Sequence, residues 1–383
     1  MPRSIRSSIL WATTVVAALV GVLVAYELGD DVGGAEEPGP AMAGPREPDS
    51  PGPGCTGTGR TDPDLMHADR MVARCAPGAP APEPLDRTRR LRVAVGAGSE
   101  SGRAVVVAEE QGELTAEGLD VELETMPVAE AYDALAAGDV DVVVGRLDAG
   151  FFDGVHAGSG ARQVMGGTIP REPGNLEVPQ EGLWLRIGLL QDTEHWRAIE
   201  GHTLVLPGGI GGAVAYPVGA VLDQGGLSLN AVDVRPLRDR ADDALLAGGA
   251  SGAWVSRAEV GRLVVAGSFQ LMATLPPSEP LDGTVVSADL LDSDREVGLA
   301  FVRAIIRTIN TYLAGDGAAE LDEDAGFRFP PPVYDWEIRT GTVERVQESL
   351  IDVGGIAYEE ALSEGELVDR SLVAEVIREA GRR

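Results

Sequence analysis

From Leu91 onward, short apolar runs alternate with segments of helix length, and the alternation is made twice. Residues 91–95 (LRVAV) form a strand that runs into the Gly-rich turn GAGSESG. Residues 103–112 read as a helix closed by Gly112, and LDVELET at 119–125 alternates with the period of a strand. A helix at 129–137 ends on Gly138 as its C-cap, and 141–144 (DVVV) is a buried-type strand ending at Gly145. Strands at 164–168 and 182–187 follow, separated by the polar, Pro-rich PREPGNLEVPQE. The second set opens with a strand at 203–206, the run PGGIGG, and a helix over 213–224 that Pro217 is expected to kink. It continues with strands at 232–236, 251–255, 263–266 and 284–287 and a helix at 241–247. Longer helices are predicted at 294–314, 343–353 and 372–380; the first places Val297, Phe301, Ile305, Ile309 and Tyr312 on one face. Strands alternating with helices of this length imply βαβ units and a parallel sheet.

Ahead of this region lie two segments of different chemistry. Residues 9–26 (ILWATTVVAALVGVLVAY) carry no charge, span about 27 Å as a helix, and have Arg3 and Arg6 in front and Glu27, Asp30 and Asp31 behind. Residues 1–29 are therefore expected to be an uncleaved membrane anchor, or else a cleaved export signal, with the rest of the chain outside the cytoplasm. Residues 30–90 concentrate Pro and Gly and hold few large apolar residues, so they are expected to be a disordered linker or stalk. Cys55 and Cys75, the only cysteines, lie in it and have a single possible intramolecular pairing, a disulfide permitted outside the cytoplasm.

Composition excludes several classes. The chain of 383 residues carries 31 basic and 61 acidic residues, a formal charge of -30, and every basic residue is Arg. That balance argues against nucleic acid and against an anionic membrane surface as partners of the folded part. Aromatics at 4% argue against stacked-ring platforms. The four His (67, 156, 195 and 202) are scattered, and there is no G-x-S-x-G, H-E-x-x-H or P-loop phrase. Neither catalysis nor a metal or other cofactor is expected.

The order of phrases carries a resemblance. Leu91-Arg-Val-Ala-Val95, Ala108-Glu-Glu-Gln-Gly112, Glu117-Gly-Leu-Asp-Val-Glu122 and ALAAGDVDVVVG at 134–145 resemble the solute-binding proteins of nitrate/sulfonate/taurine-type ABC importers, a family with thiamine-precursor-binding members. GHTLVLP at 201–207, LDQGGL at 222–227, and LLAG at 245–248 with Gly252-Ala-Trp254 continue the series, so that the likeness covers 91–383. It implies an α/β, two-lobed, periplasmic-binding-protein-like (type II) fold with a cleft between the lobes. Lobe one is expected at 91–186 and 275–383, lobe two at 187–274. Solute would sit where loops at strand ends meet helix N-termini, and closure would be a hinge motion at the two crossovers.

Strand ends then nominate the ligand-binding residues. Ser99, Glu100 and Ser101 follow the first strand; the serines supply hydroxyls or, alternatively, cap the next helix. Gly145 and Arg146 end the third; Arg146 is suited to a bidentate contact with an oxyanion, or to a plain ion pair with Asp148 or Asp153. Gly209, Gly211, Gly212 and Ala213 offer backbone N–H groups at a helix start, although family members often carry Ser or Thr there. Trp254, with Arg257 three residues on, faces a ligand as a stacking surface or packs in the core. The expected partners are a small organic anion or zwitterion, sulfonate-, nitrate-, taurine- or pyrimidine-like, and the subunits of an ABC permease. A membrane-anchored sensor on the same fold is the alternative, and the short segment before the anchor leaves it no cytoplasmic output domain in this chain.

Overall fold

The structure is a computed structural model. It describes residues 80–169, 180–189, 196–237, 240–275, 281–313 and 341–381, shorter pieces at 320–322, 327–329, 333–334 and 336–338, and the backbone of Cys55–Thr56 paired with Arg60–Thr61. The apolar run 9–26, most of the linker and Cys75 lie outside the described residues, and with them the anchor and the Cys55–Cys75 pairing. Among the described residues no helix is long and apolar enough to cross a membrane.

In chain order the main elements are β1 (Arg89–Gly96), α1 (Gly102–Glu110), β2 (Leu119–Met126), α2 (Val128–Ala137), β3 (Val142–Arg146), α3 (Ala149–His156) and β4 (Arg162–Gly166). Then come β5 (Gly182–Arg186), β6 (Thr203–Leu206), α4 (Ala215–Gln224), β7 (Asp233–Pro236), α5 (Ala241–Leu246), β8 (Gly252–Val255), α6 (Val260–Ala266) and β9 (Phe269–Ala273). The chain closes with β10 (Asp282–Val286), α7 (Arg295–Thr308), α8 (Thr342–Asp352) and α9 (Ser371–Gly381).

Two five-stranded sheets result, in the orders β2-β1-β3-β10-β4 and β7-β6-β8-β5-β9. The first three strands of each are parallel. The expected all-parallel sheet is not what forms. The strand that crosses from the other lobe, β10 in sheet one and β5 in sheet two, runs antiparallel to both neighbours. The crossovers also fix the lobe boundary. Residues 182–186, placed in lobe one by the sequence, belong to sheet two.

Why the central strands are apolar without a break follows from burial on both faces. In sheet one, Leu91, Val93, Val95, Val142 and Val144 face a core shared with α1, α7 and α9, while Ala94 and Val143 face a second core with α2 and α3. In sheet two, Leu183, Leu185, Leu204, Leu206 and Trp254 enter that second core, and Trp184, Val205, Ala253 and Val255 face a third with α5 and α6. The second core therefore runs through both lobes.

Three local expectations change. Residues 263–266 are the last turns of α6, stopped by Gly267 in the left-handed region (φ 62°); four apolar residues do not distinguish strand from helix. Pro217 stands in the first turn of α4, where its missing N–H breaks no helical bond, so it need not kink the helix. Helix 294–314 is α-helical only to Thr308 and ends in a π-turn over Ile309–Leu313, which turns Tyr312 out of the buried stripe to 46% exposure.

Residues 80–85, assigned to the linker by composition, make hydrogen bonds to the folded part. Leu85 N–H donates to Glu117 O (2.9 Å), and Arg307 Nη1 donates to Pro80 O (3.2 Å). Glu117, fully buried, accepts from Arg303 Nη1 (2.7 Å), Arg307 Nη1 (2.6 Å) and Glu83 N–H (3.2 Å). Residues 80–85 are thus tied to α7 by a buried charged network.

Candidate functional site

The crossover strands bring the polar residues together. β10 enters sheet one with Asp282 directly opposite Arg146 of β3, and β5 enters sheet two with Gly182 opposite Val255 and Leu183 opposite Trp254. Each crossover strand is announced by an acid followed by glycine, Glu181-Gly182 and Asp282-Gly283. The glycines are dictated by packing. A Cβ at Gly182 would stand 2.0 Å from Ala273 O, and one at Gly283 would stand 2.2 Å from Gln163 Nε2.

Both acids converge on Arg146. Glu181 Oε1 accepts a charge-assisted hydrogen bond from Arg146 Nη2, and Asp282 Oδ1 lies 3.7 Å from Arg146 Nε. Burial works to lower the pKa of this guanidinium, but the charges of Glu181 and Asp282 outweigh it and hold the group above its ordinary range. Asp282 Oδ2 accepts from Ser101 Oγ (3.0 Å), Ser99 Oγ (3.2 Å) and Thr168 Oγ1 (3.4 Å). Thr168 N–H in turn donates to Ser101 Oγ (2.9 Å). On the far side, Trp254 Nε1 donates to Glu181 Oε1 (2.9 Å). One polar line therefore runs from the turn after β1, through Asp282, Arg146 and Glu181, to β8 of the other lobe.

Ser101 occupies the N-cap of α1 but makes no side-chain capping bond; its hydroxyl is given to Asp282. Arg146 pairs with neither Asp148 nor Asp153. Asp148 caps α3, accepting from Gly150 N–H (3.0 Å), and Asp153 accepts from Ala357 N–H (2.9 Å). The Trp254 ring is 1% exposed and packed in the core, so in this state its N–H rather than its face is offered to the junction. Glu100 sits half-buried beside Ser99 and adds to the field that raises Arg146, while its carbonyl accepts from Tyr334 Oη (3.3 Å). Arg257 is half-buried in the turn between β8 and α6.

The glycine run sits at a different contact. A Cβ on Gly211 would lie 2.9 Å from Ala149 Cβ and 3.0 Å from Gly355 O, and one on Gly355 would lie 2.5 Å from Ile210 O. The run thus packs against the start of α3 and the turn after α8. Its expected backbone cradle is partly spent within the run. Gly212 N–H donates to Gly209 O (3.2 Å), Ala215 N–H to Gly212 O (2.9 Å) and Tyr216 N–H to Ala213 O (3.3 Å). Nearby, burial pushes the Asp148 carboxyl up to about 7, against the N–H bonds it accepts. Sequence reasoning missed Thr168, Glu181 and Asp282. The repeated acid–glycine pair opening each crossover strand was the signal that marks the latter two.

A separate surface pocket of about 500 Å³ opens at the outer edge of sheet two between Val205, Arg235, Pro236 and Arg240. Its arginines are engaged, Arg235 with Asp233 and Arg240 with Asp242.

No protein-family model matches the chain, and neither does any curated protein sequence. Solved structures do. A putative sulfonate ABC transporter periplasmic sulfonate-binding protein from Methylobacillus flagellatus superposes with a TM-score of 0.54 at 14% identity, over 78% of this chain and 96% of that one. The periplasmic nitrate-binding protein of Synechocystis gives 0.54 at 12% identity, over 77% and 90%. The ligand-binding component of an ABC-type import system from Staphylococcus aureus gives 0.53 at 13%, over 76% and 99%. The chain has the two-lobed α/β fold of periplasmic binding proteins. Within it, the arrangement is the one shared by these sulfonate- and nitrate-binding structures, as the phrases from Leu91 onward imply.

Proposed function

We propose that the protein is an extracytoplasmic solute-binding protein that closes two lobes on a small organic anion or zwitterion and presents it to the permease of an ABC importer. The observation that carries this reading is the polar line Ser99/Ser101–Asp282–Arg146–Glu181–Trp254. It holds the Arg146 guanidinium between two carboxylates and passes through the start of both crossover strands. Hinge residues at crossovers and polar groups at their roots are what a closing receptor needs, because closure then makes and breaks contacts to solute directly. The apolar segment at 9–26 would hold the domain outside the membrane on its Pro-rich stalk. No catalytic role is assigned to this polar line: the hydroxyls of Ser99 and Ser101 act here as donors that hold the Asp282 carboxylate in place beside Arg146.

A thermal-shift screen of the full chain against sulfonates, nitrate, amino acids and pyrimidines tests the reading. One class is expected to raise Tm progressively with its concentration, by RT ln(1 + [L]/Kd) in stability. A flat response to all four classes would count against it.

A further inference from the structure

Glu181 occupies the position that an anionic solute would be expected to take. Its Oε1 accepts two hydrogen bonds, from Arg146 Nη2 of lobe one and from Trp254 Nε1 of lobe two. The carboxylate comes from the chain itself, one residue ahead of the strand that enters sheet two. It is an imperfect occupant. Arg146 Nη1 is buried and has no hydrogen-bond partner, so half of the guanidinium fork is left unused. Such an orphan donor costs free energy, and a free oxyanion able to rotate onto both Nη atoms would recover it. The backbone tether prevents Glu181 from doing so, because Gly182 is pinned between Val255 and Ala273.

We propose that Glu181 is a built-in competitor: its carboxylate fills a monoanion site formed by Arg146 and Trp254 and latches the two lobes in the absence of solute. The site would accept a carboxylate or sulfonate group, which must displace Glu181 to bind. This rests on the solute-receptor reading above. The competitor sets the threshold: solute affinity equals the intrinsic affinity of the Arg146–Trp254 pair reduced by the fraction of time Glu181 holds it.

Chemical rescue tests this without knowledge of the natural solute. The probes are methanesulfonate and acetate, titrated by calorimetry and by thermal shift into the full-length wild type, Glu181→Ala and Glu181→Gln. Both variants are expected to bind methanesulfonate at least about 10-fold more tightly than wild type, a difference of 1.4 kcal/mol. The Ala variant is expected to lose Tm and to regain it progressively as either anion is added. Adding Arg146→Gln to Glu181→Ala should abolish the rescue. If Glu181→Ala does not fold well enough to titrate, the nearly isosteric Glu181→Gln carries the comparison. The proposal is overturned if neither variant binds the anions more tightly than wild type, or if the gain survives Arg146→Gln. A natural solute found on the wild type alongside either of those results would leave the receptor reading standing and sink only the competitor. Rescue with no natural solute found would do the reverse.

Discussion

At the scale of single residues, Asp148 and Arg146 show how one strand end is put to two uses. Arg146 is the last residue of β3 and gathers both crossover acids; two positions on, Asp148 caps α3 and is only 3% exposed. The raised carboxyl of Asp148, at about 7, gives a signed pH effect. Unfolded, it releases its proton near pH 3.9. Folded, it keeps the proton until about pH 7, so its stabilising contribution is full below about pH 4 and is lost as pH rises to about 7, then stays flat. The expected swing is at most about 4 kcal/mol. Asp148→Asn retains the capping oxygen and cannot titrate. Urea unfolding between pH 4 and 8 is expected to show the stability of the Asn variant gaining on wild type up to about pH 7; parallel profiles would refute the assignment. Arg146, Ser99, Ser101 and Trp254 could be nominated from the sequence because they stand at the ends of parallel strands, and the structure joins them through Asp282 and Glu181. Their partners could not be nominated. The Ser101–Asp282 bond joins residues 181 apart and Trp254–Glu181 joins residues 73 apart, and no local periodicity encodes either.

At the scale of elements, strands and helices were largely readable, because period-two runs and glycine stops are local signals. The errors share one cause. Where tertiary context decides, local pattern misleads: α6 was too short to show its period, and the crossover strands carry nothing that gives their direction. The glycine run before α4 was read from the sequence as backbone N–H donors at a helix start; the structure adds a close packing contact there, with Ala149 and Gly355 against Gly211. That contact can be tested. Gly211→Ala is expected to cost about 1–3 kcal/mol through overpacking between the run and α3. The control is Gly219→Ala in the adjacent α4, where a Cβ meets nothing within 4 Å. It should instead gain about 0.5–1 kcal/mol from lower unfolded-chain entropy. Equal effects of the two substitutions in chemical denaturation would contradict the assigned contact.

At the scale of the whole molecule, a net charge of -30 coexists with a cationic hub, Arg146, between the acids that open the two crossover strands. Acidic side chains dispersed over exposed helix faces favour solubility, at the expense of self-repulsion. Three acids inside the fold are handled differently: buried Glu117 is bound by Arg303 and Arg307, and half-buried Glu181 and buried Asp282 by Arg146. Buried carboxylates left without such partners would be costly. The two hubs divide the labour, with α7 fastening residues 80–85 to lobe one and Arg146 joining the acids at both crossovers. The central claim is that solute is held at this second hub. Titration calorimetry of the best screened solute into wild type and Arg146→Gln, each shown to be folded by circular dichroism, addresses it most directly. The expected result is saturable one-to-one binding by wild type and a loss of at least about 100-fold in affinity, close to 3 kcal/mol, in the variant; equal affinity in the two proteins would contradict it.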